Sequence, residues 1–300
     1  TVIKKLIGPV GIILLGVIIV ALWFKQGLLF AGAEEQLSFY NFTRSFNLFS
    51  SPWIAAGTGQ PSLLSLPRIP YFMFFNMFYS INVPSVLLEA ITFLILILTG
   101  MLSVYYLVKE TVSDGVKDEW KRLIPFIAGI FYFLNPFAMT QIWGRALSYQ
   151  FFAFALIPSF LLFFVLSLKR KKIIFCFLAA LVSFCFSSSY LSPSVVISSW
   201  ASIGIYLIFY ILINRNNKRS ILFALFSFAS LIILWTFINF FWIYPIIKYG
   251  NELVSVSLGQ QDNIETLKSL SPTTRINYVL RLIHREYYDG TYWKATYNIF

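Results

Sequence analysis

The chain has 300 residues, of which 58% are hydrophobic and only 12% charged; phenylalanine alone fills 33 positions, and the mean hydropathy is +0.76. No water-soluble domain of this size hides so much apolar side chain behind a wet surface. The net charge of +11 suggests nucleic acid in a soluble protein, but here the cations sit in short clusters between apolar runs, as orientation in a bilayer requires. The expected class is an all-α polytopic membrane protein with no nucleic-acid partner.

The first apolar run, Leu6–Phe24, follows Lys4 and Lys5. It is too long for a signal-peptide core and no small-residue cleavage site follows, so it reads as a retained signal-anchor helix. Residues 25–83 form a long polar and aromatic loop. Within it, "IPYFMFFNMFYSIN" (69–82) is apolar but too short to cross, and reads as an interfacial or re-entrant helix.

Further spans are expected at about Pro84–Val108, Leu123–Asn135, Phe151–Leu168, Ile173–Ser187, Val195–Ile213 and Ser220–Pro245. Asn135-Pro136 ends or kinks the third of the seven. Residues 1–249 thus read as a transmembrane bundle. The more polar residues 250–300 read as an extracytoplasmic segment, the start of a region that continues beyond the given chain.

Seven crossings put the two ends on opposite sides. The alternate connections then divide the cations unequally: Lys and Arg number 13 on the side of Lys4, Lys109, Lys169–Lys172 and Arg219, against 4 on the other, with 6 in the tail. Cytoplasmic connections carry that excess, so the N-terminus is expected inside and the 25–83 loop outside. The two cysteines, Cys176 and Cys185, lie in one apolar run about 13 Å apart along a helix, too far to bridge within it.

Soluble-enzyme signatures are missing: there is no phosphate-binding glycine loop, CxxC or HExxH. With His284 as the lone histidine, a multi-histidine metal site is excluded, and no metal ligands are assigned. The outer loop carries the adjacent acids Glu34 and Glu35 among Phe30, Leu37, Phe39 and Tyr40. A carboxylate at the mouth of an aromatic cleft suits a general base, because partial desolvation raises its pKa; solvated charge is the plainer alternative. Arg145, beside Trp143 and Tyr149, falls on the same expected outer face and suits either snorkelling or phosphate binding. Arg68 is a second phosphate candidate. Glu89 lies about five residues into a span, where ionisable groups face a cavity or a partner. Outer aromatics (Tyr40, Trp53, Trp143, Tyr190) suit stacking on sugar rings or a membrane-interface belt. Asn41-Phe42-Thr43 fits the glycosylation acceptor pattern.

Three stretches, "AGAEEQLSFYNFTRSFNLFSSPW", "GTGQPSLLSLPRIPYFMFF" and "FYFLNPFAMTQIWGRALSYQFFAFALIPSFLLFF", carry a resemblance. In layout, residues 1–250 resemble the integral-membrane glycosyltransferases of the GT-C class, most of all the arabinofuranosyltransferase-type enzymes that use polyprenyl-phosphate-linked sugars. The family commonly has Asp in its first outer loop, where this chain has only Glu34 and Glu35, and its chains are much longer.

The resemblance implies sugar transfer from a polyprenyl-phosphate donor to a cell-envelope acceptor at the outer face of a prokaryotic plasma membrane. Glu34 or Glu35 would serve as base, Arg145 and Arg68 would hold the donor phosphate, and Glu89, Tyr40, Trp143 and His284 would support; a divalent cation is neither required nor excluded. Two other readings stand beside it: a transporter or lipid-exporting permease, and a non-catalytic membrane scaffold subunit.

Overall fold

The structure is a computed structural model that describes residues 2–29, 41–50, 53–54, 60–61, 63–112, 117, 120–143 and 148–258. Ten α-helices appear among them. They are α1 (Val2–Trp23), α2 (Phe42–Phe49), α3 (Ile69–Ser80), α4 (Ser85–Val112), α5 (Trp120–Leu134), α6 (Ser148–Arg170), α7 (Ile174–Cys185), α8 (Pro193–Ile213), α9 (Lys218–Ile238) and α10 (Phe240–Leu258). A two-residue antiparallel pair, Trp53–Ile54 with Gln60–Pro61, 3-10 turns at Leu63–Arg68 and Ser187–Leu191, and a π-helical segment at Ala138–Trp143 complete the described elements.

Among the described residues, four helices are long and apolar enough to cross a membrane: Ser85–Val112, Gln150–Arg170, Ser194–Ile213 and Lys218–Ile238. Gly8–Trp23 and Ile174–Cys185 are apolar but shorter; the 12 residues of α7 rise about 18 Å, well under a hydrocarbon core of about 30 Å. The chain is a helical membrane protein.

Side-chain pairs fix how the helices run. Trp23 and Phe24 meet Phe93 at ring distances of 6.1 and 5.8 Å, while Gly8, near the other end of α1, lies against Tyr105; α1 and α4 are antiparallel. Phe93 meets Phe151 at 4.7 Å, Ser103 Oγ bonds Ser159 Oγ at 2.6 Å, and Glu110 pairs with Arg170 at 3.0 Å. That constant offset makes α4 and α6 parallel. Cys176 Sγ donates to Ser227 O and Asn239 Nδ2 donates to Ser183 Oγ, so α7 and α9 are parallel too. The apolar helices therefore alternate in direction, leaving one end rich in cations (Lys109, Lys169–Lys172, Lys218 and Arg219) and the other covered by α2, α3 and the two 3-10 turns.

Small residues let the backbones close. A Cβ at Gly129 would sit 2.9 Å from Met101 O, and one at Gly100 would sit 3.3 Å from Ala155 Cα, the kind of approach that packs helices in lipid. Helix α6 is the hub: 72% of its apolar span is buried, against 17% for α8 and α9. The exposed faces of those two present Ile205, Phe209, Leu222 and Ile233, side chains that suit acyl chains rather than water.

Three sequence expectations change. The run expected as one span over Ser220–Pro245 breaks at Asn239, and a separate α10 continues through residue 249 to Leu258. The span expected over Ile173–Ser187 is helical only to Cys185, because the chain tightens into the 187–191 turn. Tyr190, expected among outer aromatics suited to sugar stacking or a membrane-interface belt, is 5% exposed; the small serines around it let the turn sink into the bundle. Helix α2 was not anticipated. As expected, α3 occupies nearly all of 69–82, and α5 stops at Asn135, whose Oδ1 accepts from Ala138 N at 2.9 Å. A π-helical segment, Ala138–Trp143, follows. Both cysteines are free.

Candidate functional site at the capped end

The cap is built on aromatic packing. Phe42 of α2 stacks on Phe75 of α3 at 4.9 Å, and Tyr71 meets Phe152 of α6 edge-on at 5.2 Å. Phe42, Tyr71, Phe72, Phe75 and Leu88 form one buried cluster, distinct from the main core, which α4 joins at Phe93. Each buried ring contributes a few kcal/mol of apolar transfer to holding the cap on the helix ends, in the parts of the cap that lie in water.

Beneath the cap lies a hydrogen-bonded knot. Asn239, fully buried, donates from Nδ2 to Ser183 Oγ and to Trp235 O, both at 3.0 Å, and accepts at Oδ1 from Trp242 Nε1 at 3.0 Å. Trp235 Nε1 donates to the Tyr190 hydroxyl at 3.0 Å. Ser187 Oγ donates to Pro67 O at 2.8 Å, tying the 187–191 turn to the cap. Burial pushes the Tyr190 phenol well above its ordinary pKa, and the hydrogen bond from Trp235 only partly opposes this. The phenol stays neutral at any physiological pH.

Glu89 lies in the second turn of α4 and is 1% exposed. Its neighbour Leu88 belongs to the cap cluster, and Phe93, one turn further, to the main core, so the carboxyl sits at the seam between them. Its place in the second turn of α4 brings it near the positive end of the helix dipole, which favours an acid there. Arg68 is half-buried at the junction between the 63–68 turn and α3. Two more polar atoms at this end, Gln150 Oε1 and Ser188 Oγ, are buried without a hydrogen-bond partner. Together they leave capacity to accept from, and donate to, a ligand.

The structure therefore brings Arg68 and Glu89 to the same end of the bundle. Glu34, Glu35, Tyr40, Arg145 and His284 lie outside the described residues, and Trp143 is described only as the close of the π-helical segment. No group of three or more His, Cys, Asp or Glu that could hold a metal occurs among the described residues.

Two features were missed in the sequence. One is the Ser183–Asn239–Trp242 knot, signalled only by a lone Asn within "WTFINFFWIYP". The other is an open hollow lined by Asn41, Thr43, Arg44, Asn47 and Tyr79. Its sign was the Phe42/Phe46 spacing behind an Asn cap, which marks a short helix with a polar outer face. No family model, curated protein or solved structure matches the chain.

Proposed function

We propose that the chain is a membrane glycosyltransferase that moves a sugar from a polyprenyl-phosphate donor to an envelope acceptor. In this reading seven crossings leave the N-terminus in the cytoplasm and the capped end outside. The unequal distribution of cations supports that sidedness, since cations gather on cytoplasmic connections. The observation that carries the reading is the withdrawal from solvent of two charged residues, Glu89 and Arg68, under one aromatic cap. An enclosed acid and a half-buried arginine at the same end of the bundle suit a reaction in which one group accepts a proton and another receives developing negative charge.

The step balances as a displacement. The acceptor hydroxyl oxygen bonds to the anomeric carbon, whose bond to the phosphate oxygen breaks. The lipid phosphate leaves with the electron pair, and the hydroxyl proton passes to a carboxylate. Glu34 or Glu35 is assigned that proton, and Arg145 with Arg68 the departing phosphate, by the resemblance in layout. Glu89 and the unpartnered Gln150 Oε1 and Ser188 Oγ orient the acceptor. Helix α3 borders the lipid route: Met73, Phe74 and Met77 are exposed on the side away from the cap.

The test is transfer of labelled sugar from a polyprenyl-phosphate donor by the reconstituted chain. Glu34→Gln with Glu35→Gln is expected to lower the rate at least about a hundredfold, the scale of lost general-base catalysis; an unchanged rate removes the base. A permease is the second reading, favoured by the helix breaks at Asn135-Pro136 and Asn239, since discontinuous helices mark transport sites. Lipid movement across proteoliposomes without any transfer would select it.

A further inference from the structure

We propose that the first turns of α10 are an interfacial anchor: Phe240, Tyr244 and Ile247 enter the leaflet at the capped end, and Lys248 meets the phosphates of its lipid headgroups. The inference rests on the membrane class of the chain and not on sugar transfer.

The anchor continues a surface that already faces lipid. Helix α9 exposes Leu222, Phe226, Ile233 and Phe237, the last at 80%. Past the break at Asn239, steps of three and four residues carry the exposure on through Phe240, Tyr244 and Ile247, the last at 75%. Positions so spaced share one face of a helix. Trp242, on the other side of α10, is buried against Tyr190 and Trp235 at ring distances of 5.4 and 5.9 Å, and that packing turns the stripe outward.

Exposure persists along the stripe while its chemistry changes. Leu, Phe and Ile on α9 give way on α10 to Tyr244, Tyr249 and Lys248, all exposed. The Lys248 ammonium lies 5.1 Å from the Tyr249 ring centre and 5.8 Å from that of Tyr244. Aromatic rings with a polar tip beside a cation on an apolar stem are the side chains of the membrane–water boundary.

Length places that boundary independently. The 21 residues of Lys218–Ile238 rise about 31 Å, which uses up a hydrocarbon core of about 30 Å. The break at Asn239 therefore falls at the edge of the core, and α10 starts in the headgroup layer, packed against the 63–68 turn of the cap. A second copy of the chain would be served as well by a uniformly apolar stripe. The gradient from aliphatic to aromatic to cationic follows the bilayer's own profile, and the ammonium complements the lipid phosphate.

Spin labels at positions 226, 240 and 247, in a full chain free of Cys176 and Cys185 and reconstituted in phosphatidylglycerol–phosphatidylcholine vesicles, supply the test. Relaxation by oxygen against a soluble nickel chelate reads their depth. The label at 226 should lie deepest, the one at 240 shallower, and the one at 247 within about 10 Å of the headgroup boundary. Lys248→Glu should move the 247 label outward, and Lys248→Arg should leave it in place. A 247 label as deep as the one at 226, or as open to the chelate as one at Asn216 in the exposed turn between α8 and α9, would overturn the proposal. So would a depth indifferent to Lys248→Glu. A benzophenone side chain at position 247 of the otherwise unaltered chain gives a second readout: lipid adducts are expected, and a crosslinked dimer would make the stripe a subunit interface and overturn the anchor. Neither readout involves sugar transfer, so failure here leaves the catalytic reading standing.

Discussion

Asn239 Nδ2 lies 3.0 Å from Ser183 Oγ, so the break between α9 and α10 is tied to the end of α7 and not left to solvent or lipid. The same side chain receives Trp242 Nε1 and reaches back to Trp235 O. One amide thus holds three elements together where the helix is interrupted. Asn239→Leu keeps the volume and strands Trp242 Nε1 in a buried site. It should destabilise the protein by about 2 kcal/mol or more, read as a lower thermal midpoint in detergent; an unchanged midpoint would show the knot to be incidental.

Tyr190→Phe removes the acceptor for Trp235 Nε1 while keeping the ring against Trp242 and Phe186. The expected loss is about 1–3 kcal/mol. Burial raises the phenol's folded pKa above its ordinary value of 10.0. The neutral form is therefore favoured in the fold, and its stabilisation is complete below pH 10. Above that, the unfolded chain ionises first and the advantage is lost. Alkaline titration followed by tyrosinate absorbance should show fewer titrating phenols in the folded wild type than in unfolded protein over that range, a difference that Tyr190→Phe narrows by one.

At Gly129 an added Cβ meets the Met101 carbonyl oxygen at 2.9 Å, and a backbone atom cannot swing aside as a side-chain tip does. Gly129→Ala should force α4 and α5 apart and cost about 1–3 kcal/mol. Gly204, with nothing within 4 Å of its added Cβ, is the control: Gly204→Ala should be neutral or mildly stabilising, by less than about 1 kcal/mol. Equal effects at the two sites would contradict the packing described.

The Glu110–Arg170 pair is 3.0 Å long, with side chains 25% and 56% exposed. Such a pair contributes at most about 1 kcal/mol. A double-mutant cycle with Glu110→Gln and Arg170→Gln should return a coupling energy below that, diminishing with added salt; a larger, salt-insensitive coupling would mean the ends of α4 and α6 are enclosed.

The membrane class, most apolar helices and the short 69–82 helix were legible in the sequence, because length and apolar continuity decide what crosses lipid. Breaks inside uniformly apolar runs were not. In "WTFINFFWIYP" the hydropathy hardly changes at Asn239, and the hydrogen bond that ties the break to the bundle goes to Ser183, 56 positions away. The burial of Tyr190 went unread for a related reason: "SSSYLSPS" has the composition of a surface turn, yet serines small enough to pack let it sink against α9. Helix α2 escaped notice because its apolar positions are few, and they act only through aromatic partners on α3. Of the charged candidates, Glu89 lies where its position within a span implied, enclosed, while Arg68 takes its setting from the 63–68 turn, whose packing no local pattern announces.

The account depends most on which side the cap faces. In a variant free of Cys176 and Cys185, single cysteines at Asn47, exposed on α2, and at Lys171, exposed between α6 and α7, would be probed in intact cells with a membrane-impermeant maleimide. Labelling at 47 without permeabilisation, and at 171 only after it, is the expected result. The reverse pattern would put the cap and its buried acid in the cytoplasm and contradict the account.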